Sequence, residues 1–214
     1  DAIDGNNTLT PEQKATYKKA AYDATKRMPP AAVAAIKKNM KAVNFSPNLE
    51  NMRYVIAQQI ADLSVSGKPG WLDWLDKTLA GGEVARRERS KIAEETEKWM
   101  NDNHAAGVWL SNTQEIFLDG GNGTNPAGVY AHELTHAIDK DRVHSDSPKW
   151  ADVFKTEIGT PDAPLTDYAA TSAVESFAEF GRAVYTSDTA KRRELERDFP
   201  KAARYFKENS LWPS

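Results

Sequence analysis

Two histidines four residues apart, with a glutamate directly after the first, constrain this chain more than any other feature. His132 and His136 lie at positions i and i+4, so a helix would place both imidazole rings on one face, within reach of one metal ion. Glu133 is rotated by about 100° from that face, which is too far to bind the metal and close enough to reach a water molecule beside it. The spacing therefore predicts a helix with a metal site on one face.

The residues around this pair support a helix on local grounds. Asn125 is a good N-cap, and Pro126 suits the first helical position. Residues 127–138 are expected to continue the helix, and the polar stretch 139–147 before Pro148 is expected to be an exit loop. On a helix, the H-E-x-x-H pattern is the arrangement with which zinc peptidases bind zinc and supply a general base. The alternative is a solvated helix face that carries two unrelated histidines.

A catalytic zinc site needs a third protein ligand and keeps one position open. The long pattern with glycine and histidine three and six residues after the second histidine is excluded, because Asp139 and Arg142 occupy those positions. Asp162 is another candidate, in a Gly-Thr-Pro-Asp segment that partly matches the aspartate-ligated zinc peptidases. Those peptidases carry a tyrosine three residues later, where this chain has Leu165. The flanking prolines indicate an ordinary turn.

Glu175 is the remaining candidate, and we predict that it binds the metal. Residues 171–185 are expected to form a helix capped by Thr171 or Ser172, with apolar residues around Glu175. Glu179 lies four positions further on, so both carboxylates project from one face. The alternative is a pair of solvated acids, but carboxylates on a buried helix require a cation or a metal. We therefore predict Glu175 as the ligand and Glu179 as the hydrogen-bond acceptor of a ligating imidazole.

These residues resemble a family of zinc metallopeptidases that includes the catalytic domain of anthrax toxin lethal factor and the small secreted clostridial Pro-Pro endopeptidases. The resemblance rests on His132-Glu133-x-x-His136-Ala137-Ile138-Asp139, on Tyr168, and on Glu175-Ser176-Phe177-Ala178-Glu179. It covers about the last ninety residues, and before Gly107 it is faint.

The resemblance implies a zincin-like α+β fold that is mostly helical, with a small mixed sheet beside the active-site helix. It also implies a bound Zn2+ ion as the cofactor. The residues that would hold this ion are His132, His136 and Glu175.

The same resemblance implies a zinc-dependent endopeptidase with protein or peptide substrates. Glu133 would be the general base for a metal-activated water, and the Tyr168 hydroxyl would donate to the oxyanion. Glu179 and Asp139 would contact the metal-binding side chains and orient them. One alternative is the catalytic domain of a secreted toxin or effector with the same chemistry. Another is a catalytically silent zincin-like module that binds a partner.

One domain is expected over residues 1–214, because a chain of this length buries a sizeable core. Residues from about 1 to 105 are predicted to form a helical part with a strand near 42–45, and those from about 107 to 214 the metal-binding catalytic part. Strands are predicted at 108–110 and 115–118, as a hairpin just before the active-site helix. Further helices are predicted at about 11–28, 31–39, 49–63 and 83–100.

The sequence also predicts whether four other side chains are buried or exposed. Trp71 and Trp74 are three residues apart and are expected to pack on a core from one helix face. His104 and His144 are expected in surface loops.

The composition excludes several other classes of protein. There is no Cys, which excludes disulfides, thiol nucleophiles and cysteine-bound zinc. The net charge is −3 and no strongly basic stretch stands alone, so nucleic acid is not an expected partner. No apolar run approaches the length of a membrane span. We expect a secreted monomer that acts on protein or peptide substrates, present as a mature product or a processed fragment.

Overall fold

A computed structural model gives the architecture, and it describes residues 10–46, 91, 94, 95, 98, 106–110, 114–119, 125–160 and 165–214. The elements of these residues follow in chain order. They are α1 (Pro11–Thr25), α2 (Pro30–Asn39), β1 (Ala42–Ser46), β2 (Gly107–Leu110), β3 (Glu115–Asp119), α3 (Pro126–Ile138), a 3-10 turn (Lys140–Arg142), α4 (Pro148–Val153), a π-helical turn (Phe154–Ile158), α5 (Ala173–Thr186), α6 (Thr189–Asp198) and α7 (Pro200–Glu208).

The first helix begins where the sequence predicts. The backbone N–H of Gln13 donates to Thr10 Oγ1 at 3.2 Å, and the backbone N–H of Thr10 donates to the Gln13 side chain at 2.9 Å. This reciprocal capping box satisfies two donors at the helix start, and Pro11 fits the first helical position. The helix ends at Thr25, somewhat before the predicted end near Met28.

Three strands form one mixed sheet in the order β1-β3-β2. The strands β2 and β3 are antiparallel, with Leu110 opposite Glu115, which confirms the predicted hairpin. Strand β1 runs parallel to β3, with Ala42 also opposite Glu115. Within the described part of the chain, β2 therefore lies at an edge of the sheet. The helices and this small sheet confirm the α+β fold class.

The helix α3, which carries the histidine pair, begins at its predicted cap. The backbone N–H of Gly128 donates to Asn125 Oδ1 at 3.1 Å, and Pro126 occupies the first helical position. This helix packs against the sheet through β2 and β3, against α1 and α2, and most extensively against α5. The site residues on α3 are therefore placed by contacts with both ends of the chain.

A glycine allows the close approach of α3 and α5, the two helices that carry the predicted metal residues. A Cβ atom at position 181 would lie 3.0 Å from Thr135 Cβ and even closer to the Oγ1 and Cγ2 atoms of Thr135. Any larger residue would push the helices apart, because side chains in a packed interior have little room to move. Gly181 thus contributes to the distance between the histidines and position 175.

A cluster of aromatic rings holds the start of α5. Trp150 is fully buried, and its ring centroid lies 5.1 Å from that of Phe177 and 5.8 Å from that of Phe206. Its Nε1–H donates to the carbonyl of Ala173 at 3.0 Å and to Ser176 Oγ at 2.9 Å. Each aromatic pair of this kind contributes about 0.5–1.5 kcal/mol beyond area burial. The cluster therefore fixes the first turn of α5, where Glu175 lies.

Two features after α3 differ from the sequence-based expectations. Helix α4 was not predicted, although Ser147 and Pro148 are its N-cap and first residue. His144 lies in a turn, as expected, but it is only partly exposed: its ring centroid lies 5.1 Å from that of Phe177 in a stacked arrangement, and its Nδ1 lies 3.1 Å from the Tyr205 hydroxyl. Burial in this contact lowers the pKa of His144.

Several predicted features lie outside the described residues. They are the helix near 49–63, Trp71, Trp74, His104 and Asp162. Of the predicted helix near 83–100, residues 91, 94, 95 and 98 are described, and they are helical and exposed. Among the described helices, none combines the length and the apolar character that a membrane span requires.

Candidate metal centre and active site

Three side-chain atoms from α3 and α5 converge on one position, which we call the metal point. His132 Nε2 lies 3.0 Å from His136 Nε2 and 3.2 Å from Glu175 Oε2, and His136 Nε2 lies 3.3 Å from the same oxygen. A tetrahedral zinc ion with bonds of about 2.0–2.1 Å separates its ligand atoms by about 3.3 Å. The three atoms therefore have the spacing of three corners of such a site.

The second contact of His132 defines which nitrogen carries the proton. Its Nδ1 lies 2.9 Å from Glu179 Oε1, and an ionised carboxylate only accepts hydrogen bonds, so Nδ1 is the donor. In a neutral imidazole, Nε2 then presents its lone pair to the shared point. A carboxylate behind the ring is the usual device that orients a metal-binding histidine.

The two histidines keep the carboxylate of Glu175 ionised, which is the form that binds a metal ion. Burial alone would raise the pKa of Glu175, but the imidazoles of His132 and His136 hold it well below its usual range. Glu175 Oε2 is buried and accepts no hydrogen bond of regular geometry from the described residues. Two imidazoles and one carboxylate are also a donor set that catalytic zinc uses. The residues present therefore fit a zinc ion.

Glu179 is fixed in turn by two further side chains. Thr166 Oγ1 donates to Glu179 Oε2 at 2.8 Å, and Arg182 Nη2 donates to the same oxygen at 2.6 Å. Burial would raise the pKa of Glu179, and its contacts with His132 and Arg182 instead lower the pKa to about 2. Glu179 therefore stays ionised and holds His132 through a charge-assisted hydrogen bond.

Glu133 lies between the metal point and strand β2. It is 5% exposed, and burial raises the pKa of its carboxyl group. The nearby backbone N–H of Trp109 favours the charged form of this carboxyl group, but its effect on the pKa is smaller than that of burial. A Cβ atom at Gly107 would come within 2.9 Å of Glu133 Oε1, so the backbone of β2 lies directly against the side chain. A raised pKa and a fixed position suit a group that accepts and then releases a proton.

Tyr168 lines the same cavity as the metal residues. Its side chain is 43% exposed, and its ring centroid lies 5.8 Å from that of His132. Burial raises the pKa of its hydroxyl group, as do the nearby carboxylates of Glu175 and Glu133. The hydroxyl group is therefore protonated at neutral pH and can act as a hydrogen-bond donor.

The resemblance implies that Asp139 contacts a metal-binding side chain, and the structure gives its carboxylate other partners. Its side chain is buried, and Oδ1 accepts the backbone N–H groups of His144 at 2.7 Å and Ser145 at 3.0 Å. Among the described residues, Asp139 makes no polar side-chain contact with His132 or His136. The carboxylate thus shapes the turn that follows α3.

A cavity of about 440 Å³ opens beside the metal point. Strand β2 forms one wall, the turn after α3 forms another, and the metal residues form the floor. The lining residues are Gly107, Val108, Trp109, His132, Glu133, His136, Asp139, Lys140, Asp141, Arg142, Tyr168, Val174 and Glu175.

Sequence reasoning did not identify several residues that shape this site. Arg182 could have been found, because it lies three residues after Glu179 on the same helix, where opposite charges meet. Gly107 and Thr166 gave no comparable signal, because their contacts cross from one element to another.

Two imidazoles on one helix, a carboxylate on a second helix and a buried glutamate beside an open cavity are features of metal-dependent hydrolases. No family model matches the chain. The chain is similar to Lethal factor of Bacillus anthracis, with 29% identity over 117 residues that cover 48% of this chain and 14% of that protein. The chain thus spans only a small part of the length of this relative. The similarity supports the resemblance seen in the motifs at the level of a distant relationship.

Proposed function

We propose that this protein is a zinc-dependent endopeptidase. The observation that carries the proposal is the convergence of His132 Nε2, His136 Nε2 and Glu175 Oε2 at the floor of an open cavity. The similarity to Lethal factor supports the same chemistry. It also supports action outside the producing cell, on protein substrates.

The chemistry is divided between the metal and three side chains. A zinc ion held by His132, His136 and Glu175 would lower the pKa of bound water toward neutrality and polarise the scissile carbonyl group. Glu133 takes a proton from the attacking water and delivers it to the leaving nitrogen as the C–N bond breaks. The Tyr168 hydroxyl donates a hydrogen bond to the developing oxyanion, and one such donor contributes about 10²–10³-fold in rate. Glu179 keeps the ring of His132 in its binding orientation.

The shape of the cavity favours an extended polypeptide as the substrate. Gly107, Val108 and Trp109 of β2 form its wall, and of the described strands only β3 pairs with β2. The free edge of β2 can therefore bind a substrate segment as an added strand through backbone hydrogen bonds. This mode aligns a peptide bond past Glu133 with little dependence on substrate sequence.

Metal content and metal-dependent cleavage test this proposal. We expect the purified protein to contain about one zinc ion per chain and to cleave peptides until a chelator removes the metal. Zinc at about 100 times its Kd should stabilise the fold by about 2.7 kcal/mol, which raises Tm by roughly 5–10 °C in a chain of this size. Elemental analysis, a peptide-cleavage assay and a thermal shift assay measure these effects. Undiminished cleavage after chelation, or a Tm that zinc does not change, would contradict the proposal.

A further inference from the structure

The turn that follows α3 is held in an unusual backbone conformation at the mouth of the cavity. We call residues 140–143 the rim turn. The backbone φ angles of Asp141 and Arg142 are 61° and 56°, a left-handed conformation that residues other than glycine rarely adopt. Asp139 stabilises it, because its carbonyl accepts the N–H of Arg142 at 2.7 Å and its buried carboxylate accepts two further N–H groups. Strain of this kind persists where surrounding contacts impose it, and it is common at functional sites.

The rim turn gives one wall of the cavity an excess of positive charge. Lys140, Asp141 and Arg142 all line the cavity, and the net charge of these three residues is positive although that of the whole chain is −3. Neither Lys140 nor Arg142 forms an ion pair with another described residue. The cavity lining also contains the carboxylates of Glu133, Asp139 and Glu175, so the excess of positive charge is local to the rim turn.

We propose that the rim turn is a subsite for an acidic side chain of the polypeptide substrate, close to the scissile bond. Arginine binds a carboxylate through two parallel hydrogen bonds, and lysine adds a second positive charge. This inference rests on the proposed endopeptidase function and adds a substrate class to it. It also assigns a role to the buried carboxylate of Asp139, which holds the rim turn in place.

A randomised peptide library tests the subsite with no assumption about the natural substrate. We expect the holoenzyme to cut with Asp or Glu enriched about tenfold at one position beside the scissile bond, in line with a hydrogen bond to a charged group. The double variant K140E/R142E should lose this enrichment or favour Lys and Arg instead. The matched control K37E/K38E reverses two exposed charges on α2, which does not line the cavity, and should keep the acidic enrichment.

The possible results separate this subsite from the endopeptidase function itself. Cleavage of the library without acidic enrichment, or enrichment that persists in K140E/R142E, overturns the subsite and leaves the endopeptidase function intact. A zinc-loaded protein that cuts no peptide overturns both.

A separate hydrogen-bond network links Glu179 to the turn that carries Tyr168. Thr166 Oγ1 donates to Glu179 Oε2 at 2.8 Å and accepts the backbone N–H of Ala169 at 3.0 Å. The hydroxyl group of Thr166 thus contacts both the carboxylate behind His132 and the turn of residues 167–170.

We infer that Thr166 is a positioning residue that couples the orientation of His132 to the placement of Tyr168. Without the hydroxyl group, Glu179 Oε2 loses one of the two hydrogen bonds that fix it, from Thr166 and from Arg182. The backbone N–H of Ala169, in the turn that carries Tyr168, also loses its acceptor. Mutation of a residue that orients a metal ligand typically lowers metal affinity or activity by about 10–100-fold. The inference rests on the proposed metal site.

Two near-isosteric variants test this role. T166V should weaken zinc binding and lower kcat by about 10–100-fold each with little change in KM, whereas T166S keeps the hydroxyl group and should restore both. Chelator competition measures the zinc Kd, and circular dichroism verifies the fold. T16V is the matched control, because Thr16 is exposed and, among the described residues, its hydroxyl bonds only the carbonyl of Glu12 within its own helix.

The pattern across the variants decides the inference. A folded T166V protein with unchanged zinc affinity and kcat overturns it, as does a folded T166S protein that shows the same losses as T166V. If the wild-type protein itself binds no zinc, the proposed function fails as well.

Discussion

Glu133→Gln is expected to leave zinc bound and to lower kcat for peptide hydrolysis by about 10²–10⁴-fold, the contribution of a general base. The amide has nearly the shape of the carboxylate, so it fits the same buried position against Gly107 of β2. It cannot take a proton from water at neutral pH, so the proton-transfer step is lost while the fold and the metal point are kept. Steady-state kinetics and zinc content, measured on the same sample, give the two readouts.

Two variants serve as controls for this result. Glu208→Gln makes the same chemical change at an exposed ion pair with Lys149, and it should retain wild-type activity. Glu133→Asp keeps a base but withdraws it by about one bond length, and a misplacement of about 1 Å lowers rates by about 10²-fold. Wild-type turnover by zinc-loaded Glu133→Gln would show that another group accepts the proton.

The features that sequence reasoning predicted well depend on local geometry. The helix around His132 and His136 is defined by its cap and its spacing, so its position could be predicted from nearby residues alone. The hairpin before it follows from two short strands separated by a polar link. The convergence of Glu175 with the histidines was inferred from the burial of its helix, and it involves residues far apart in the chain.

The features that were missed depend on how distant elements approach each other. The contact of Gly181 with Thr135 and the packing of Gly107 on Glu133 exist only once the helices and the sheet are assembled. His144 has polar neighbours in the sequence, which indicated exposure, but α5 and α7 supply Phe177 and Tyr205 to cover its ring. Tertiary burial therefore overrides the local pattern at these positions.

One missed element did have a signal in the sequence. Ser147 followed by Pro148 is a cap and a first helical residue, the same combination that correctly predicted the starts of α1 and α3. Reading the proline only as the end of a loop overlooks α4. Because α4 places Trp150 against the start of α5, this omission also hides how Glu175 is fixed.

Glu175→Gln is expected to weaken zinc binding by about 10²–10³-fold and to abolish cleavage when zinc is below its new Kd. The free energy of zinc binding at a four-ligand site is about 10–16 kcal/mol, so one ligand accounts for about 2.5–4 kcal/mol. The amide oxygen keeps the shape of the site but removes the negative charge that faces the two imidazoles. Chelator competition measures the Kd, and activity measured across a zinc titration shows whether the loss of cleavage follows the loss of metal.

Comparison with Glu179→Gln separates a direct ligand from a residue that orients one. Glu179 contacts His132 Nδ1, on the side of the ring that faces away from Nε2, so its change should weaken zinc binding by only about 10–100-fold. Saturating zinc should then restore more activity in Glu179→Gln than in Glu175→Gln, because the set of ligand atoms is complete only in the former. The reverse order of zinc affinities would mean that the carboxylate of Glu175 is not the third ligand. In that case, the convergence of the three atoms would need a different explanation.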